Sequence, residues 1–177
     1  MPEHSSPKAI ILMGVSGCGK TTFGKLLKRE LGFEFTDGDD LHSPANVAKM
    51  ASGQPLNDDD RGPWLESICQ HINERLDKKQ SVAVACSALK KSYRDQLRKL
   101  SVPPTFIHLV ADINPISKGN AISRRQAERK GHYMPRELMQ SQYETLEPTT
   151  DEADVIEVSV TLPLLEAERQ VLAIAKQ

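Results

Sequence analysis

Cysteine is scarce in this sequence. The three present, Cys18, Cys69 and Cys86, are too few and too scattered for a disulfide framework or a zinc site. That scarcity suits a reducing compartment, and a cytoplasmic location is expected. An excess of either charge is also missing, since 23 basic residues face 24 acidic ones. General nucleic-acid and membrane-surface binders carry a basic excess, so neither partner is expected. No apolar run approaches the roughly 20 residues that cross a bilayer. Met1–Lys8 is polar and lacks the apolar core of a signal peptide, so residues 1–7 are expected to form a flexible tail. Internal repeats, low-complexity tracts and domain linkers are absent too. With 177 residues, the chain predicts one compact domain over 1–177.

What is present is an alternation of short apolar runs with helical patterns. Ala9–Met13 is a continuous apolar run ending at a glycine, as in a strand buried on both faces. Phe23, Leu26, Leu27 and Leu31 recur at helical spacing, with Gly32 as a stop, which predicts a helix over 20–31. Further strands are predicted at 33–35, 82–86, 106–110 and 155–158. Residues 44–60 read as a helix followed by a polar loop. Pro63 then opens a helix to about Lys78, with an apolar stripe of Trp64, Leu65, Ile68, Cys69, Ile72 and Leu76. More helices are predicted over 92–100, 122–130, 135–143 and 163–172. This alternation predicts an α/β fold, a five-stranded parallel sheet flanked by helices, whose ligands bind at the strand C-terminal edge.

Gly14-x4-Gly19-Lys20-Thr21 matches the P-loop pattern in full, between a buried strand and a helix. The glycines let the backbone N–H groups of Gly14, Val15, Ser16, Gly17, Cys18 and Gly19 form a nest for phosphate. The following helix adds its positive dipole end. Lys20 is expected to reach the β- and γ-phosphates and Thr21 to coordinate Mg²⁺, with Thr22 on the α-phosphate side. ATP is therefore the expected nucleotide, with Mg²⁺ as the cofactor. The Asn-Lys-x-Asp reader of guanine is absent. Cys18 is either an alkylation-sensitive thiol or a small spacer whose side chain points away.

Asp37-Gly38-Asp39 follows the second strand, on the same sheet edge. Carboxylates two residues apart fall on one side of an extended segment. Asp37 is the candidate for the metal shell and Asp39 for the base that takes a proton from a substrate hydroxyl. The same residues also make good turn and cap chemistry. Asn57–Arg61 reads either as a solvated loop or as the place of an arginine clamp, Arg61, for an anionic substrate. Arg124–Lys130 is a basic cluster in a balanced chain, with Arg125 and Arg129 on one helix face. It is a solvated face or a lid whose arginines close over ATP, exclude water and stabilise charge in transfer, with Gly131 as hinge.

In order along the chain, these residues resemble the gluconate kinases (gluconokinases). The likeness is carried by Met13–Lys20, Asp37-Gly-Asp39 with Leu41-His42, Asn46 with Lys49-Met50, and Pro55-Leu-Asn-Asp-Asp-Asp-Arg61 with Pro63-Trp64-Leu65. It continues in Cys86-Ser-Ala-Leu-Lys90, Tyr93-Arg94-Asp95, Arg129-Lys-Gly-His132, and Ser141-Gln142 with Leu146-Glu147. The resemblance implies ATP-dependent phosphorylation of D-gluconate to 6-phosphogluconate. It implies a nucleoside-monophosphate-kinase-like P-loop fold with a lid over about 122–143, often as a homodimer. Gluconate would contact Asp39, His42, Arg61 and Lys90, while Lys20, Asp39, Arg125 and Arg129 would act in catalysis. Residues 112–120 make a longer connection than is usual in that family. Two other readings stay open: a shikimate-kinase-like or other small hydroxy-acid kinase, and a nucleotide-binding module without transfer activity. The former usually has a second glycine-rich loop, and nothing here resembles one.

Overall fold

The computed structural model describes residues 5–110 and 136–177. The predicted lid residues Arg124, Arg125 and Arg129, the hinge Gly131 and the 112–120 connection lie outside the described residues. Five strands pair in parallel: β1 (Ala9–Met13), β2 (Glu34–Asp37), β3 (Val82–Ala85), β4 (Thr105–Val110) and β5 (Val155–Ser159). Their order across the sheet is β2-β3-β1-β4-β5. The central strand is buried along its whole length, which explains its unbroken apolar run.

Alternate residues of β1 serve opposite faces of the sheet. Ala9, Ile11 and Met13 join a core with α3 (Asp58–Asp77) and α4 (Lys91–Leu97), through Trp64, Leu65, Ile68, Ile72, Leu76, Tyr93 and Leu97. Ile10 and Leu12 join a second core with α1 (Lys20–Leu31) and α6 (Leu164–Lys176), through Phe23, Leu26, Leu27, Ala167 and Val171. Two further helices are α2 (Pro44–Ala51), tied to Asp60 of α3 by Asn46 and Lys49, and α5 (Arg136–Thr145), which lines a cavity with Lys90 through Ser141, Gln142 and Thr145. The chain runs from β1 to one side of the sheet and later to the other. The loop after β1 therefore sits at the switch point, where α/β sheets bind ligands.

Among the predicted boundaries that move, two matter for the site. Helix α3 starts at Asp58, not at Pro63. Asn57 Oδ1 accepts from Asp60 N at 2.8 Å, and Asp60 Oδ2 accepts from Asn57 N at 2.9 Å. This reciprocal cap, with three aspartates at the positive end of the helix dipole, starts the helix a turn earlier. Pro63 then sits inside the helix, where it withholds one backbone donor. Arg61 is thereby placed on a rigid first turn rather than a loop. Strand β2 runs Glu34–Asp37, so Asp37 is the strand's last residue and the cap of the 3-10 turn that follows (Gly38–Leu41).

Candidate active site

The loop Gly14–Gly19 turns sharply through three glycines with positive φ: Gly14 at 135°, Gly17 at 82° and Gly19 at 106°. At Gly14 a side chain is also excluded by space. A Cβ there would lie 2.8 Å from the Leu109 carbonyl oxygen and 2.9 Å from Cys18 Sγ. Lys20 arches back over this loop, with Nζ donating to the carbonyls of Gly14 at 2.8 Å and Val15 at 3.0 Å. The ammonium is thus held above the nest of N–H groups. Thr22 is exposed. Cys18 is fully buried in the α1 core, with its Sγ 4.0 Å from Lys20 Nζ.

Three strand ends converge beside this loop. Gly14 N donates to Ser87 O at 3.3 Å, tying the loop to the segment after β3. Gly38, after β2, packs so tightly that a Cβ would lie 2.5 Å from Ala85 O. Asp37 joins two of the predicted groups. Its Oδ2 accepts from Thr21 Oγ1 at 3.3 Å and its Oδ1 from Asp39 N at 3.0 Å. A hydroxyl and a carboxylate side by side are hard oxygen donors of the kind Mg²⁺ takes, together with water and phosphate oxygens. No cluster of three or more His, Cys, Asp or Glu suited to a metal occurs among the described residues. The Thr21–Asp37 pair fits an ion shared with phosphate oxygens.

Asp39 projects from the 3-10 turn with its side chain 61% exposed, and its Oδ1 lies 3.7 Å from His42 Nε2. His42 stacks on Trp64 with ring centroids 4.1 Å apart, and the indole N–H of Trp64 donates to Gly38 O at 2.8 Å. Burial, helped by the nearby Arg61 charge, lowers the His42 pKa to about 4. The ring is therefore neutral at pH 7. With Asn46 Nδ2 3.3 Å from Nδ1, and also donating to Asp60 O, the proton is assigned to Nε2, facing Asp39.

Arg61 and Lys90 meet in one cavity of about 340 Å³, whose walls include Leu56, Asn57, Asp58 and Gln142. Arg61 Nη1 donates to Leu56 O at 2.7 Å and Tyr93 Oη at 3.2 Å. Lys90 Nζ pairs with Asp58 at 2.9 Å. Tyr93 Oη donates to the same carboxylate in a short hydrogen bond, and both contacts hold the Asp58 pKa below the usual range. Asp39 and His42 do not line this cavity. The Arg61 charge nevertheless reaches His42, where it helps to lower the imidazole pKa. Cys86, at the end of β3, is pushed up to about 12 by burial and stays a thiol.

A buried ionic network supports the cavity wall. Arg94 is wholly buried. Its Nη1 donates to Ala88 O at 2.7 Å and Leu89 O at 3.1 Å. Its Nε donates to Glu152 Oε1 at 2.9 Å and its Nη2 to Oε2 at 2.7 Å, a bidentate pair. Ala88 sits at φ 45°, a strained position for alanine that these bonds hold in place. Glu147 completes the brace, donating through its N to Leu89 O and accepting from Lys91 N at 2.7 Å. Asp58, Tyr93, Gln142 and this network escaped the reading of the sequence. Their residues lie in recognisable segments, but the pairings reach across 32 positions for Asp58–Lys90, 58 for Arg94–Glu152 and 126 for Gln142–Ser16, beyond any local signal.

The sequence profile of the family described as Shikimate kinase matches residues 16–171, so the chain falls in that broad kinase family. Gluconokinase of Gluconobacter oxydans is 44% identical over 164 residues, covering 90% of this chain and 89% of the relative. The chain belongs to the gluconokinase family. Among solved structures, a gluconokinase from Sinorhizobium meliloti superposes with a TM-score of 0.78 at 41% identity, covering 95% of this chain and 91% of that one. A sugar kinase from Janibacter, in an unliganded structure, reaches a TM-score of 0.82 at 38% identity, with coverages of 96% and 95%. The P-loop kinase fold of the gluconokinases is thus the fold described above. No helix among the described residues is long and apolar enough to cross a membrane.

Proposed function

We propose that this chain transfers the γ-phosphoryl group of ATP to D-gluconate, releasing ADP and 6-phosphogluconate. The observation that carries the reading is the pairing of two sites at one sheet edge. A phosphate loop with its lysine stands beside a cavity presenting Arg61 and Lys90. Two cations suit the carboxylate of a sugar acid, Arg61 by its planar fork and Lys90 as a point charge.

The backbone N–H groups of Gly14–Gly19 and the start of α1 bind the phosphates, and Lys20 swings from its carbonyl partners to the β- and γ-phosphates. Thr21 and Asp37 would hold Mg²⁺, which when bound would supply positive charge to the phosphate oxygens. Asp39 takes the proton of the primary hydroxyl as its oxygen bonds to the γ-phosphorus. The bond from that phosphorus to the bridging oxygen breaks, and ADP leaves with the electron pair. His42, neutral, stands beside the Asp39 carboxylate with its Nε2 3.7 Å from Oδ1. Arg125 and Arg129 are proposed to close over the transferring group, and a cytoplasmic homodimer completes the reading.

An acceptor panel with coupled ADP release tests it. Turnover with ATP, Mg²⁺ and gluconate is expected, and none with shikimate. Transfer to shikimate alone would move the chain to the chemistry its family profile is named for. Nucleotide binding without turnover on any hydroxy acid would leave a binding module. Sedimentation velocity tests the dimer, and a monomer at micromolar concentration would refute it.

A further inference from the structure

One side chain touches both halves of the site. Gln142, on α5, accepts from Ser16 N through its Oε1 at 2.7 Å, across 126 positions of sequence, and it also lines the cavity with Arg61 and Lys90. Ser16 belongs to the loop whose N–H groups cradle phosphate. One N–H serves one strong acceptor well. A phosphate oxygen seated at Ser16 must therefore displace the carboxamide.

We propose that Gln142 couples the two substrates, its carboxamide passing from the Ser16 N–H of the phosphate loop to a hydroxyl of the sugar acid in the adjoining cavity. The proposal rests on the reading of that cavity as the acceptor site. The chemistry suits the exchange. An amide carries an acceptor oxygen and two donor hydrogens, so it can accept from a backbone N–H and then either donate to or accept from a hydroxyl. It brings no charge, and so neither attracts nor repels the phosphate.

A plain structural tie does not account for the contact. The end of α5 is already fastened to the cavity wall by Glu147, through its N to Leu89 O at 2.8 Å and its carboxylate to Lys91 N. Tyr143 and Leu146 add apolar packing beside the α1 core. Fixing a glutamine also costs side-chain entropy, here spent on a donor that a phosphate would satisfy by itself.

Coupling and tying predict opposite signs. With Gln142→Ala, coupling predicts that affinity for ATP and ADP, measured by calorimetry on the full chain, is unchanged or rises, by up to about tenfold for one neutral hydrogen bond. The gluconate KM rises roughly threefold to tenfold over the same range. A structural tie predicts that both affinities fall together with Tm. Gln142→Asn keeps the amide but shortens the reach, and should follow the alanine variant while sparing the fold. Gln142→Glu keeps an acceptor at Ser16 but adds a negative charge where phosphate arrives, so nucleotide affinity should fall at least tenfold. Joint loss of both affinities in the asparagine variant, or no change in either, overturns the proposal. Wild-type turnover on gluconate is the control, because its absence would refute the acceptor assignment instead.

Discussion

Replacing Arg94 with methionine should be the most damaging single change that touches no substrate. The guanidinium is fully buried and its partner Glu152 is only 6% exposed. Methionine matches much of the volume, so the loss is chiefly polar. It strips one ion pair from Glu152, whose remaining pair with Arg98 at 2.6 Å keeps the carboxylate from being wholly abandoned. It also leaves the Ala88 carbonyl without its donor, whereas the Leu89 carbonyl keeps the Glu147 N–H. Breaking a buried pair on one side costs about 3–5 kcal/mol, and one orphaned buried acceptor about 1–3 kcal/mol. These overlap, and the surviving Arg98 contact favours the lower end, so about 3–4 kcal/mol is expected. At about 2–4 °C per kcal/mol for a chain of this size, Tm should fall by roughly 10 °C. Urea unfolding followed by far-UV circular dichroism measures it, with the m-value unchanged. Arg94→Lys, which keeps the charge but loses the fork, should fall between. Because Ala88 and Leu89 precede Lys90, the gluconate KM should rise in both variants. A loss below about 1 kcal/mol for Arg94→Met would refute the view that this network holds the cavity wall.

Four further outcomes follow from the site. Lys20→Met should lose at least about a hundredfold in kcat, since it removes a preorganised charge from the transferring group, with the fold intact by circular dichroism. Asp39→Asn should lose about a hundredfold or more in kcat while binding ATP normally, because the general base alone is removed; wild-type turnover would end its assignment as base. Gly38→Ala should destabilise by a few kcal/mol, because its Cβ would meet the Ala85 carbonyl at 2.5 Å; an unchanged melting curve would contradict the close approach of β2 and β3. The folded chain binds a proton at His42 less readily than the unfolded one, so stability should fall as pH drops from 6.5 to about 4. Discounted for screening, the loss is on the order of 1–2 kcal/mol, and it should vanish in His42→Gln.

The sheet and its phosphate loop were legible because their signals are local. A buried parallel strand reads as an apolar run, and the loop's glycines answer to backbone angles that only glycine takes easily. The Trp64-to-Leu76 stripe was legible for the same reason, since helical period survives in any sequence. The start of α3 was not. Pro63 is a strong local start signal, and it lost to the reciprocal cap of Asn57 and Asp60, which depends on two side chains folding back together. Asp37 and Asp39 could be placed at one sheet edge, but spacing could not tell that Asp37 would cap the next turn and bind Thr21. Arg61 and Lys90 were candidates one at a time. Their meeting in one cavity depends on Asp58, Tyr93 and Arg94, whose partners lie far along the chain.

The stacking of Trp64 on His42 gives the chain a built-in optical reporter. Trp64 is the sole tryptophan, so all indole emission arises beside the Asp39 turn and one turn of α3 away from Arg61. The ring is 6% exposed, which should hold its emission towards the blue. Gluconate entering near Arg61 should alter that emission with no label attached, and protonation of the stacked imidazole should quench it. Acceptor binding and His42 titration can therefore be followed on the unmodified protein by a single wavelength, apart from any turnover.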